Sequence, residues 1–211
     1  VTAGGLSAIA ISWAQLSGPV FAGHEAAVAA FALCLIVAEL CPMNWLSLQD
    51  GGEVTASWTF ALCLLFVAEP PVALMVMSSV CLLVELVRRK PLVRAAFNAG
   101  QMSLSLLPGA WVFHALTDLD KIDGNGWDSV LWLAATLLTA VVTFACNSLY
   151  TCVVLALHQR LPILPVIRKS VGVNLMMDGL LLALAPVFAV IALRSLLLVP
   201  LLLATVWIIY R

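Results

Sequence analysis

Residues 69–91 read EPPVALMVMSSVCLLVELVRRKP, and this stretch decides the fold. Glu69-Pro70-Pro71 is a turn, and Pro71 suits the first turn of a helix because the N–H it lacks would be unpaired there in any case. The apolar run Val72 to Val87 then predicts a helix, ending at the basic cluster Arg88-Arg89-Lys90-Pro91 with Arg94 close behind. A proline-opened apolar run closed by cations has the pattern of a membrane-crossing helix with its charged end at one interface.

Working outward, the same alternation recurs. Towards the N-terminus lie the apolar stretches Gly4 to Ala22, Ala26 to Leu40 and Val54 to Ala68. The break Pro42 to Glu53 separates the last two and contains the turn residues Asp50-Gly51-Gly52. Val54 to Thr59 is strand-like in composition, so an extended first turn is expected there. Towards the C-terminus the predicted helices are Val93 to Leu116, Ser129 to Leu157, Val171 to Leu193 and Leu196 to Tyr210. The first carries Pro108-Gly109 and is expected to kink; the second is long enough to cross with a tilt or to bend near Asn147. Thr117 to Asp128 reads as a polar loop and Arg160 to Lys169 as a second basic loop.

Composition agrees with this pattern. The 211 residues are 64% hydrophobic and 10% charged, with a mean hydropathy of +1.11. A soluble domain has about 45–50% apolar and about 25% charged residues, so this chain lacks the polar surface to cover a water-soluble globule. The expectation is an all-α, polytopic transmembrane helical bundle of seven or eight segments, forming a single transmembrane domain over residues 1–211. A formal charge of −1 excludes an electrostatic nucleic-acid binder.

The placement of cations predicts orientation. Arg88, Arg89, Lys90, Arg94, Arg160, Arg168, Lys169 and Arg211 fall on one side of the alternating spans, and Lys121 and Arg194 on the other. The first side is expected to be cytoplasmic, which puts Arg211 inside and the acidic loop with Asp118, Asp120 and Asp123 outside. Because the chain opens at Val1 and closes directly after an apolar run, it is expected to belong to a longer protein, with any signalling domain following residue 211.

Polar residues inside these helices require partners, since a charge at the bilayer centre costs about 2.5–3.5 kcal/mol on insertion scales. Glu39 and Glu85 sit in similar settings near the cytoplasmic ends of their helices. They are expected either to pair with Arg88, Arg89 or Arg94 or to line a pocket. Asp178 lies near the middle of its helix. Asn98, Gln101 and Ser105 recur at spacings of three and four, one turn after Arg94, and form a polar stripe on one helical face. Asn147 and Asn174 add amides on other helices. Two readings stand: interhelical hydrogen bonding, or a polar cavity for a small ligand or ion lined by Asn98, Gln101, Asn147, Asn174, Asp178, Glu85 and Arg94. With this set the stripe from Arg94 to Gln101 should face the protein interior, with Glu85 as the ion-pair mate of Arg94. His114 reads as an anchor or structural residue, and Trp45, Trp111, Trp127 and Tyr210 fit an aromatic belt.

No phosphate cradle, zinc-protease helix or hydrolase elbow occurs, so no intrinsic catalysis is expected. The six cysteines lie in apolar runs without C-x-x-C or paired histidines, and no metal site, disulfide framework or cofactor is expected.

The order of residues becomes specific from Gly51: GGEVTASWTFALCLLFVAEPPVAL, then VELVRRKPLVRAAFNAGQMSLS. These resemble the N-terminal multi-span membrane region of bacterial diguanylate cyclases and cyclic di-GMP phosphodiesterases of the GGDEF, EAL and HD-GYP types. The resembling elements are an acid before proline (Glu39 to Pro42, one residue longer here), the Gly-Gly-Glu turn, the Arg-Arg-Lys-Pro turn and Phe97-Asn98-Ala99-Gly100-Gln101. Asn147-Ser148-Leu149-Tyr150 and Ala183-Leu184-Ala185-Pro186 resemble later elements, and the similarity covers roughly Leu33 to Arg211. The resemblance implies a sensory or regulatory module in the bacterial inner membrane, preceding a cytoplasmic catalytic domain of which this chain holds no residues. The expected partners are the lipid bilayer, a small ligand, and a second copy or another membrane protein. The alternatives are a small-molecule transport or substrate-capture protein, or an accessory subunit packed on a larger membrane complex.

Overall fold

The computed structural model describes Ser7 and residues 25–41, 56–117 and 130–209, with backbone alone at 169–178, 180–181 and 206–209. The expected segment at 4–22, apart from Ser7, lies outside the described residues, as do the breaks at 42–53 and 118–128 with Trp45, Lys121 and Trp127. Tyr210 and Arg211 lie outside them too. The described residues are helical, with no strand among them. In chain order they form α1 (Glu25–Leu40), α2 (Ser57–Val67), α3 (Pro70–Val87), α4 (Leu92–Leu116), α5 (Val130–Gln159) and α6 (Ile163–Arg194). A 3-10 turn (Leu196–Leu198) then leads into α7 (Val199–Ile209).

Helix contacts run α1–α3–α4–α5–α6–α2 and back to α1. Within this bundle α2 is buried at every position from Ser57 to Val67. Its aromatic rings reach three other helices: Phe66 lies 4.9 Å from Phe113 of α4 and 6.1 Å from Trp132 of α5, and Phe60 lies 6.3 Å from Phe188 of α6. The Cys63 thiol donates to the Ala185 carbonyl at 3.3 Å, one residue before Pro186. With 11 residues, α2 rises about 16 Å, roughly half the hydrocarbon thickness of a bilayer. Among the described helices α3 and α5 are long and apolar enough to cross a membrane.

Two connections share one backbone solution. After α3, Arg89 adopts φ 58° while the N–H of Arg89 donates to Leu86 O at 2.9 Å and that of Lys90 to Glu85 O at 3.0 Å. After α5, Arg160 adopts φ 55° and Leu161 N donates to Ala156 O at 3.0 Å. The 6→1 bond around a left-handed residue is the Schellman end, a position glycine usually takes. Arginine there costs about 1–2 kcal/mol of backbone strain. Each turn is closed by a proline, Pro91 or Pro162, which is extended and precedes the first residue of the next helix.

Several expectations are corrected. The region 160–169 is not a loop: α6 begins at Ile163, so Arg168 and Lys169 are helical. Pro162 sets the helix start, and Pro165 falls in the first turn, where the N–H it lacks would be unpaired in any case. Ser57 to Thr59 are helical rather than extended, because full burial of α2 leaves their backbone groups few partners outside the helix. Pro108 and Asn147 both lie within the spans of their helices, α4 and α5, as expected.

Candidate functional site

The polar stripe of α4 faces a second stripe on α5. Gln101 Nε2 donates to Thr151 Oγ1 at 3.0 Å and approaches Asn147 Oδ1 at 3.4 Å, so a single amide bridges two successive turns of the neighbouring helix. Ser105, one turn on, is buried and returns its hydroxyl to Gln101 O at 2.8 Å. Further along the same seam Gly109 lies against Thr139 and Thr143. Contact numbers that fall on α5 as they rise on α4 make the two helices antiparallel. The turn before α4 and the turn after α5 therefore lie at the same end of the bundle.

Close approach is possible because both faces carry small residues. Ser105 and Gly109 on α4, and Thr136, Thr139, Ala140 and Thr143 on α5, are all buried. Packing of small and hydroxyl-bearing side chains is the usual means of joining helices where no water is displaced. The hydroxyls of Thr139, Thr143 and Ser148 are buried and have no hydrogen-bond partner among the described residues. Each buried hydroxyl without a partner weakens the fold by about 1–3 kcal/mol.

Of the sequence-predicted residues, Gln101 and Asn147 meet, and Asn98 lies half-buried one turn before Gln101. Arg94 does not join them. It is exposed in the first turn of α4, and its expected mate Glu85 is held by Lys90 instead. The side chains of Asn174 and Asp178 lie outside the described residues. The partners on α5 carry a signal of their own in the sequence: Thr136, Thr139, Thr143, Asn147 and Thr151 recur at spacings of three and four.

A second polar cluster sits at the cationic end. Lys90 Nζ pairs with Glu85 Oε1 at 2.9 Å, just beyond the helix end, where the left-handed Arg89 turns the chain. Arg88 donates to the backbone carbonyl of Glu39, capping the last turn of α1 and placing positive charge at the negative end of its dipole. Glu39 and Glu85 are both buried, and Cys81 lies within the field of both and of Arg88 and Lys90. Glu85 Oε2 has no hydrogen-bond partner among the described residues. At the opposite end His114 Nε2 lies 3.4 Å from Glu69 Oε2, linking the end of α4 to the start of α3.

Among the described residues no three His, Cys, Asp or Glu side chains gather as a metal site. The chemistry available is hydrogen bonding by amides and hydroxyls within a low-dielectric helix seam. No protein-family model matches this chain, and comparison with curated proteins and with solved structures found no match.

Proposed function

We propose that the chain is a sensory or regulatory membrane module: a polytopic bundle of seven or eight segments in the bacterial inner membrane, its C-terminus cytoplasmic. It controls a cytoplasmic signalling domain of cyclic di-GMP turnover in response to a small ligand or to the state of the membrane. The membrane part of this reading is supported by the composition, by the two helices long and apolar enough to cross, and by the exposed leucines and valines of α5. Leu131, Leu138, Val141 and Leu149 lie on one face of that helix and are each about half exposed or more. Acyl chains, or a helix of a second membrane protein, cover such a face.

The observation that carries the sensing reading is the bridge from Gln101 to Asn147 and Thr151, continued by the unpartnered hydroxyls of Thr143 and Thr139. A ligand shifts a bundle only through different affinities for its arrangements. Amides that hydrogen-bond across two helices supply such a difference, because a competing polar group can replace the partner helix. The seam also runs directly to the two turns at the cationic end, where displacement of α5 against α4 would be passed on to α6 and to whatever follows.

The test is to replace Asn147 with leucine in the full-length protein and measure both folded yield and the output of the attached domain. Altered output at unchanged yield supports sensing. A fall in output that tracks the fall in yield reduces the seam to structural bonding and removes the proposal.

A further inference from the structure

The two left-handed arginines carry an inference beyond the seam. In Arg88-Arg89-Lys90 the outer two cations are spent inside the protein, Arg88 on the Glu39 carbonyl and Lys90 on Glu85. The middle one, Arg89, is exposed and has no acidic partner among the described residues. Arg160 is in the same position after α5: exposed, left-handed, and without an acidic partner among the described residues. Glycine would fill both corners without strain. Two arginines held in a conformation that disfavours them point to a use for the side chain itself.

The surroundings indicate what that use is. Each arginine is flanked along the chain by exposed apolar side chains, Val87, Leu92 and Val93 near Arg89, and Leu157, Leu161 and Leu164 near Arg160. Both turns lie at one end of the bundle, together with the exposed Arg94 and Arg168. The acids described at that end, Glu39 and Glu85, are buried. An exposed guanidinium among exposed leucines is mismatched to water on its apolar side and to hydrocarbon on its charged side. It fits the boundary between them, where the apolar neighbours enter the acyl region and the planar fork meets phosphate oxygens.

We infer that the Arg89 and Arg160 turns are binding sites for the phosphate headgroups of anionic phospholipids, which clamp the α3–α4 and α5–α6 corners to the membrane surface. This rests on the membrane reading above. It goes further in assigning the lipid class and two residues. A negatively charged leaflet attracts cations near its surface within a Debye length, and zwitterionic headgroups do so far less.

The experiment uses the full chain in neutral detergent, with thermal unfolding followed as phosphatidylglycerol or phosphatidylcholine is added. Phosphatidylglycerol should raise the midpoint by about 2 °C or more beyond phosphatidylcholine, the scale expected when a ligand well above its dissociation constant binds the folded state of a chain this long. The double variant Arg89→Gly/Arg160→Gly relieves both strained corners, so it should unfold at the same or a higher temperature without lipid and lose the phosphatidylglycerol increment. Retention of the increment by the variant overturns the inference, as does an equal increment from inorganic phosphate. Alkaline carbonate extraction of membranes reads the prior step separately. Release of the wild-type chain defeats the membrane reading, whereas an embedded chain indifferent to phosphatidylglycerol defeats the lipid sites alone.

Discussion

Gly109 of α4 lies so close to Thr143 of α5 that a Cβ added at 109 would stand 2.2 Å from the threonine hydroxyl, with the Thr139 carbonyl at 3.2 Å. A backbone oxygen cannot rotate away, and the β-branched Thr143 has few rotamers to offer. Gly109→Ala is therefore expected to separate the helices and destabilise the protein by about 1–3 kcal/mol. Thr143→Ala alone should cost less, and the double variant should recover part of the loss, a coupling measurable by thermal unfolding of the four proteins in one detergent.

The Gln101–Thr151 bond sits at the exposed margin of the seam. A double-mutant cycle of Gln101→Leu and Thr151→Val should give a coupling near the membrane-helix average of about 0.6 kcal/mol. A coupling indistinguishable from zero would show that the amide spends its time on other partners.

Lys90 is the partner that keeps Glu85 tolerable in its buried position. Removing it in Lys90→Met strands the carboxylate, whereas Glu85→Gln removes the charge that needed pairing. The first is expected to lower the unfolding midpoint more than the second, by about 1–3 kcal/mol of difference, and the double variant should lie nearer to wild type than Lys90→Met does. A Lys90→Met protein as stable as Glu85→Gln would contradict this.

Arg88 ties the end of α1 to the end of α3 through the Glu39 carbonyl. Arg88→Ala should cost about 1 kcal/mol through loss of the cap and of the charge at the dipole. Amide exchange near Leu40 and Cys41 should rise relative to the middle of α1.

The proposed topology, with the cationic end cytoplasmic, is open to a direct test. A reporter fused after Arg211 is expected to register as cytoplasmic and one inserted at Gly124 as external; the same side for both would overturn the arrangement.

Helical class was legible in composition alone, since a chain this apolar must satisfy its backbone internally. The sequence also determined most helix ends, because prolines act locally: Pro70-Pro71 opens α3, and Pro91 sets the start of α4. The stripe on α4 was legible for the same reason, being a periodicity within one helix. Only the tertiary structure decided what the stripe meets, because the register of α4 on α5 is set by the approach at Gly109, far along the chain from Thr143 and Thr151. It alone decided that Glu85 turns to Lys90 rather than Arg94. The left-handed Arg89 folds Lys90 back over the helix end, whereas the first turn of α4 carries Arg94 outward. Such choices depend on the geometry of a few dihedrals and on contacts between distant segments, and residue spacing along one helix carries neither.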